Sequence, residues 1–165
     1  PGAYILTADD DLVYPRTWVR SFVEAYQSTK EILLRRGRLS DAHDSGLTPY
    51  NTWPISPQKT LGDVFPTSCH GMLVPPRTLA STECLNPAAF MRLCPMNDDI
   101  WWYWMGLRGG STFRVIPGDP IRDLPTGQTG LWSEHNRDGG NDKQIAAMIE
   151  AYGLPWAKQR AEAAE

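Results

Sequence analysis

Hydrophobic residues occur along this chain in two patterns, short continuous runs and runs with helical spacing. Continuous apolar runs of a few residues are typical of buried strands. Four such runs are predicted as strands, at residues 4–8, 32–34, 72–74 and 113–116. Helical segments follow several of them, and strands that alternate with helices predict an α/β layered domain, because parallel strands need helical crossovers.

The helical segments are marked by apolar spacing and by their capping residues. Trp18, Phe22 and Tyr26 recur at every fourth position after Pro15, which is tolerated in a first helical turn. Later helices are predicted to start at the N-caps Asn86, Asn97 and either Asn141 or Asp142. The helix after Asn97 is apolar nearly all round, so we expect it to be buried on several sides.

A polar stretch at 37–61 separates the second and third predicted strands and is interrupted by Pro49, Pro54 and Pro57. We predict a long loop there, and loops of more than about 12 to 15 residues are often functional or mobile. With 165 residues and a mass of 18.5 kDa the chain is predicted to form a single α/β domain, with 157–165 as a tail that has little to bury.

Charge and composition exclude several classes of function. The chain has 16 Lys and Arg against 19 Asp and Glu, so it lacks the basic field with which proteins neutralise nucleic acid. It also lacks an apolar run of the roughly 20 residues that a transmembrane helix needs. Its three cysteines form no C-x-x-C pair and leave one over, which favours a reducing compartment. We expect a cytoplasmic protein, either free or peripheral to the inner face of the membrane.

The start of the chain is unusual for a complete α/β domain. The first residue is Pro1, and a strand pattern begins almost at once with no signal peptide before it. We therefore expect a fragment, from which the strands that normally flank the first one are missing.

Three consecutive acids, Asp9, Asp10 and Asp11, end the first predicted strand. Open α/β sheets place their ligand crevice at such strand ends. In an extended segment Asp9 and Asp11 project to one side, where two carboxylates about 4 Å apart repel by about 4 kcal/mol at an effective dielectric near 20. A divalent cation offsets this repulsion, and Mg²⁺ or Mn²⁺ bound there would bridge to substrate phosphates. The alternative is an acidic turn that merely ends the strand in solvent.

A second acidic pair, Asp98 and Asp99, follows the N-cap Asn97 and falls in the first turn of the aromatic helix. The positive end of the helix dipole stabilises negative charge there, so both a structural and a functional interpretation predict an ionised pair. In the functional one, a carboxylate facing a cleft acts as a general base towards a hydroxyl group. The tryptophans of this helix are expected in the core, although one of them can still line a cleft.

Other polar motifs are less informative. Adjacent side chains such as Cys69 and His70 rarely act together, so a turn is the expected structure there. His135 lies in a polar loop and is either a metal ligand, a phosphate contact or a surface histidine. The basic run 35–38 is expected to form a solvated edge, and no glycine-rich dinucleotide or P-loop motif occurs.

Several segments in order resemble one enzyme family. The stretch 5–15, I-L-T-A-D-D-D-L-V-Y-P, with Trp18 soon after, looks like the D-x-D strand end of GT-A-fold glycosyltransferases, particularly bacterial enzymes of polysaccharide biosynthesis. Three further segments resemble the same family: G-M-L-V-P-P at 71–76, the run 93–101 and the loop 131–142. The resemblance covers about residues 4 to 150.

This resemblance implies a GT-A-like fold and a transferase that moves a sugar from a nucleotide-sugar donor to a carbohydrate or other hydroxyl acceptor, with inversion. Asp11 and Asp9 would ligate Mn²⁺ or Mg²⁺, with His135 as a further contact, and Asp9 and Asp10 would contact the donor. Asp99 would be the general base, and Asp98 would be the second candidate for that role.

The chain departs from the family at two places. Cys69 and His70 stand where the family usually has glycine-rich sequence, which leaves the geometry of the acceptor loop open. The resemblance also implies that the half that binds the nucleoside base would precede Pro1, so the activity of this chain alone and its oligomeric state are open.

Two other classes of function use the same residues. A metal-dependent phosphohydrolase or nucleotidyltransferase would hold two ions between the acidic clusters, about 3.5 to 4 Å apart. A non-catalytic carbohydrate-binding module would use the seven tryptophans of the chain.

Overall fold

A five-stranded mixed sheet forms the centre of the computed structural model. The structure describes residues 2–27, 31–40, 42–43, 46–57, 61–62, 64–125, 130, 132–136 and 138–154. Its strands are β1 (Ile5–Leu6), β2 (Leu12–Val13), β3 (Glu31–Leu34), β4 (Gly37–Leu39), β5 (Ala42–His43), β6 (Gly46–Leu47), β7 (Leu61–Gly62), β8 (Val64–Pro66), β9 (Met72–Val74), β10 (Thr112–Val115) and β11 (Arg122–Asp123). Its helices are α1 (Trp18–Ala25), α2 (Ser81–Cys84), α3 (Pro87–Leu93), α4 (Asp98–Arg108) and α5 (Gly140–Tyr152). Short 3₁₀ turns form at Tyr50–Thr52 and Ser68–His70, and a π turn at Trp132–Asn136.

The sheet has the strand order β1-β9-β3-β10-β7. Only β3 and β10 pair in parallel among its described strands, and the other neighbours are antiparallel. The α/β class is therefore confirmed, but an all-parallel sheet is not. The reason is that the chain passes from β3 to β9 through short strands and turns, with no described helix to carry a parallel crossover.

The strand directions bring several segments to one edge of the sheet. Because β9 is antiparallel to both of its neighbours, β1 and β3 run the same way, and β10 runs with them. The segments after β1, β3 and β10 therefore lie at the same edge as the turn that precedes β9.

Side chains alternate between two apolar layers, one on each face of the sheet. Leu33 and Leu73 point towards α1, where Trp18 and Phe22 cover them. Successive strand residues point to opposite faces, so their neighbours in β3, β9 and β10 face the other layer, which contains α4 and α5.

Helix α4 lies against the sheet in this second layer. Asn97 caps it as predicted, with its side-chain oxygen accepting the Ile100 N–H at 3.2 Å. Trp101 and Trp104 are buried while Trp102 is half-buried. A Cβ on Gly106 would lie 2.7 Å from Phe113 Cζ, so a glycine is needed for this close approach.

Three local predictions differ from the structure. Strand β1 is short and Ile5 is half exposed, because the strand forms an edge of the sheet. The segment 37–61 contains strands and a 3₁₀ turn in its described residues, because Tyr50 and Trp53 pack into the core. Helix α5 begins at Gly140, before the predicted caps, although it ends at Gly153 as expected.

The described part of the chain contains no helix that combines the length and apolarity needed to cross a membrane. The predicted tail at 157–165 lies outside the described residues.

Candidate active site

The acidic triplet lies at the sheet edge where the ends of β1, β3 and β10 meet. It forms a turn between β1 and β2 and is not an extended segment, and its three side chains are exposed. The backbone carbonyl of Asp11 accepts the Leu124 N–H at 2.8 Å, which ties the turn to the segment after β11. The triplet is thus held in a defined turn with its carboxylates free to face a ligand.

Tyr14 links the triplet to the turn at 68–70. Its hydroxyl accepts the backbone N–H of Asp9 at 2.7 Å and donates to the carbonyl of Cys69 at 2.7 Å. Trp18 adds a second link, because its indole N–H donates to the His70 carbonyl at 3.0 Å. The next residue, Gly71, has a φ of +107° and its Cα faces the Trp18 ring, where a Cβ would come within 2.7 Å of Cζ2. The predicted turn is confirmed, and glycine is needed to close it against the indole.

The same turn holds the second acidic cluster. The backbone N–H of Ser68 donates to Asp99 Oδ1 at 2.8 Å. Asp98 points elsewhere, since its Oδ2 accepts the indole N–H of Trp102 at 3.3 Å. Consecutive helix residues diverge by about 100°, so the two acids of the pair have different surroundings. The turn at 68–70 therefore contacts both acidic clusters, one through Tyr14 and the other through Asp99.

The surroundings of Asp99 change its protonation. Burial raises its pKa to about 7, and the charges of Asp98 and Asp9 act in the same direction. Hydrogen bonds from Ser68 oppose this shift but do not cancel it. The sequence predicted a fully ionised pair on the basis of the helix dipole, and for Asp99 the structure differs because burial outweighs the dipole. A carboxyl with a pKa near neutrality suits a general base.

Asp9 is the electrostatic link between the two clusters. Asp9 is largely exposed, but partial desolvation of its carboxyl is the first cause that raises its pKa, followed by the charges of Asp11, Asp98 and Asp10 in that order. The effect of Asp11 exceeds that of Asp10, and the pairing of Asp9 with Asp11 as metal ligands stays a prediction. Carboxylates that are distant in the sequence thus affect one another, and a concentration of like charge of this kind favours a bound cation.

The donor chemistry of the triplet fits a hard divalent ion. Carboxylate oxygens are the ligands that Mg²⁺ and Mn²⁺ prefer, and Mg²⁺ usually keeps several waters while one or two carboxylates and substrate phosphates complete its shell. Among the described residues, no three His, Cys, Asp or Glu side chains form a ready-made metal site. Asp9 and Asp11 could therefore supply part of a coordination shell, with the remainder coming from substrate and water.

His135 makes no contact with the acidic clusters among the described residues. It lies on the π turn at 132–136 with half of its side chain exposed, and its Nε2 is 3.9 Å from a Glu134 carboxylate oxygen. In the part of the chain that the structure describes, no interaction joins His135 to either acidic cluster. Its predicted role as a metal contact stays a prediction.

Arg36 and Cys69 are near the acids, although no functional role was predicted for either of them. Arg36 follows β3 at the sheet edge that also holds the acidic triplet, and its Nη1 lies 3.7 Å from Cys69 Sγ. Burial raises the pKa of the Cys69 thiol, Arg36 lowers it, and Asp99 and Asp9 raise it further. The basic run was expected to be solvated, but its arginines are half-buried. The arginines are half-buried because the direction of β3 places the run that follows it against other chain segments.

A network of side-chain amides holds the start of α4. Asn97 Nδ2 donates to Asn141 Oδ1 at 2.7 Å, which joins the first turn of α4 to that of α5. Gln144 accepts the Met96 N–H at 3.0 Å, and Asn136 Nδ2 donates to the Met96 carbonyl at 2.9 Å. These amides are buried or half-buried, so they fix the position from which Asp98 and Asp99 project.

Comparisons with known proteins do not add to this description. A scan against family models, a search of curated proteins and a search of solved structures each found no match to the chain.

Proposed function

We propose that this chain forms the catalytic half of a GT-A-like, metal-dependent glycosyltransferase that transfers a sugar from a nucleotide-sugar donor to a hydroxyl acceptor. The observation that carries the proposal is that the turn at 68–70 contacts both acidic clusters, the triplet through the Tyr14 hydroxyl and Asp99 through the Ser68 N–H. The resemblance of the D-x-D segment to this family gives the same assignment.

In this proposal the two clusters have separate tasks. Asp9 and Asp11 hold Mn²⁺ or Mg²⁺, and Asp9 and Asp10 contact the donor. The ion, when bound, offsets the negative charge that develops on the leaving diphosphate. Arg36 lies close enough to the same edge to add a positive charge for that anion.

Asp99 performs the proton transfer. Its carboxylate takes the proton from the acceptor hydroxyl while the acceptor oxygen bonds to the anomeric carbon of the donor. The bond between that carbon and the phosphate oxygen breaks, and the leaving nucleoside diphosphate keeps the electron pair. Attack opposite to the leaving group inverts the anomeric carbon.

A panel of nucleotide-sugars tests this proposal. The full-length protein is incubated with each donor and with Mn²⁺ or Mg²⁺, and nucleoside diphosphate and glycoside products are measured. We expect metal-dependent release of nucleoside diphosphate from at least one donor, and a loss of about 10²-fold or more in Asp11→Asn. Glu150→Gln, an exposed carboxylate on α5, is the matched control and should retain full activity.

The products separate this function from its alternatives. A phosphohydrolase or nucleotidyltransferase would yield inorganic phosphate, pyrophosphate or sugar 1-phosphate and no nucleoside diphosphate. No turnover of any donor, or equal rates for Asp11→Asn and Glu150→Gln, would contradict the proposal.

A further inference from the structure

A shallow groove lies beside the first turn of α4, on the side to which Asp98 points. Its volume is ≈ 430 Å³, within the roughly 300 to 1,000 Å³ of small-ligand sites. Leu85, 80 % exposed, stands at its rim, and the rings of Phe90 and Trp102 line it. Asp98 is the one carboxylate among the described residues of its lining. The groove is thus largely apolar, with a single negative group.

The walls of the groove are fixed by contacts within the protein. The Phe90 ring packs edge-on against Trp101, with centroids 5.8 Å apart, and Trp101 is buried. Trp102 is held by its hydrogen bond to Asp98 Oδ2. Among the described residues no donor reaches Asp98 Oδ1, so this oxygen is available to a ligand. An aromatic wall beside one available acceptor is therefore already formed.

The chemistry of this lining selects among ligands. A purely apolar chain would cover the Asp98 carboxylate without giving it a hydrogen bond, which is costly. A phosphate or carboxylate ligand would be repelled by the same group. A pyranose ring meets both requirements, because one face carries C–H groups that pack on an aromatic ring and its edge carries hydroxyl donors.

The position of the groove gives its relation to the candidate active site. Asp98 borders the groove, while the next residue, Asp99, points to the turn at 68–70 and the acidic triplet. The two side chains diverge by about 100° around α4, but the charge of Asp98 acts on both Asp99 and Asp9, so the groove lies next to the acidic clusters. The two acids would then divide binding and proton transfer between them.

We propose that this groove is the acceptor subsite and binds a neutral glycosyl unit, with the sugar face on Trp102 and a hydroxyl on Asp98 Oδ1. The assignment rests on the proposed transferase function, in which Asp99 is the base. It makes Asp98 a binding residue for the acceptor and not a second base.

Indole N–H signals in ¹⁵N NMR spectra test the subsite without donor or metal. The Trp102 signal is assigned by its loss in Trp102→Phe, and the protein is titrated with methyl glycosides of glucose, galactose, mannose, rhamnose and N-acetylglucosamine. Concentrations up to about 50 mM are suitable, since a single ring is expected to bind with millimolar affinity. We expect at least one glycoside to shift the Trp102 signal saturably, while the buried Trp104 signal does not move.

Variants identify the contacts. Asp98→Asn should weaken the responding glycoside about tenfold, because a hydrogen bond to a charged group is lost. Leu85→Ser, at an exposed rim position, should weaken it a few-fold, and Glu150→Gln should bind as the unchanged protein does.

Several results would overturn the assignment. One is the absence of a Trp102 shift with every glycoside, and another is equal affinities for Asp98→Asn and Glu150→Gln. A third is a saturable shift with 1-hexanol but with no glycoside, which would indicate an apolar ligand. If glycosides fail here while donor turnover still depends on metal and Asp11, the subsite is wrong and the transferase function stands. If glycosides bind but no donor is turned over, the groove belongs to a carbohydrate-binding protein.

Discussion

The two acidic clusters of this protein differ in the environment of one residue, since Asp99 is half-buried while Asp98 and the three acids of the triplet are exposed. Asp9, Asp10 and Asp11 lie on an exposed turn whose backbone is tied by Tyr14 and Leu124. Asp98 and Asp99 lie in the first turn of a buried helix. Neighbouring charges accumulate on the exposed triplet, whereas burial raises the pKa of the half-buried Asp99 to about 7.

This difference allows the same type of side chain to bind a cation in one cluster and to exchange a proton in the other. A solvated carboxylate stays ionised at neutral pH and suits a cation, whereas a buried one exchanges a proton near neutrality. The comparison makes the assignment of roles testable, because exchanging or neutralising residues in each cluster should affect different measurements.

The largest effect is expected for Asp99→Asn. The amide can still accept the Ser68 N–H but cannot take a proton, so the transfer rate should fall by about 10²- to 10⁴-fold. Initial rates with the active donor measure this, and circular dichroism shows whether the fold is kept. A similar loss in metal affinity would contradict the division of roles, since the replacement of Asp99 should leave ion binding at Asp9 and Asp11 nearly unchanged.

The same carboxyl should make the stability of the protein dependent on pH. Its pKa is raised from the ordinary 3.8 to about 7 in the folded state, so the folded protein holds the proton more tightly than the unfolded chain does. The resulting stability is fully present below about pH 4 and is lost as the pH rises through 7. The loss is at most about 4 kcal/mol.

Denaturant unfolding at pH 5 and pH 8 checks this dependence. The free energy of unfolding of Asp99→Asn should depend less on pH than that of the unchanged protein. At pH 8 the variant should be the more stable of the two. If both proteins lose the same free energy of unfolding between these values, Asp99 is not the buried acid.

A smaller effect is expected where the amide network is broken. Asn141→Ala removes the acceptor of the Asn97 amide between α4 and α5, which should lower the free energy of unfolding by about 1 to 3 kcal/mol. The exposed Lys143→Ala on the same helix is the control and should change stability little. Equal midpoints of urea unfolding for the two variants would show that the network does not hold α4.

The smallest effect is expected for Tyr14→Phe. Loss of its hydroxyl leaves the Asp9 N–H and the Cys69 carbonyl without this link, which should cost about 1 kcal/mol and weaken Mn²⁺ binding a few-fold by loosening the acidic turn. Tyr4→Phe removes a surface hydroxyl bond to Tyr26 and should change neither quantity. Calorimetric titration with Mn²⁺ measures the affinity, and identical heats for both variants would exclude a role for Tyr14 at the turn.

Local features of the fold could be predicted from the sequence because neighbouring residues determine them. The caps Asn86 and Asn97 and the glycine at 153 mark helix ends in the structure as they do in the sequence. The central strands β3, β9 and β10 are apolar runs in both. The direction of β9 was not predictable, because antiparallel pairing depends on a path through 37–71 that has no periodic pattern.

The candidate site likewise combines features that neighbouring residues determine with features that depend on distant contacts. The acids themselves are visible as clusters, but their coupling depends on Tyr14 and Ser68, whose partners are 55 and 31 residues away. The half-burial of Arg36 likewise follows from strand direction and not from its charged neighbours. The raised pKa of Asp99 needs the burial of α4, which a helix dipole argument from sequence alone leaves out.

The most direct test of the account is a ¹³C NMR titration of the Asp99 carboxyl with and without Mg²⁺. If the clusters share one site, Asp99 titrates near pH 7 without the ion, and its midpoint falls by about half a unit or more at saturating Mg²⁺, because a nearby cation favours the ionised form. In Asp11→Asn, addition of Mg²⁺ should not change the titration midpoint of Asp99. An Asp99 midpoint near pH 4, or one that Mg²⁺ does not move in the unchanged protein, would contradict the shared site.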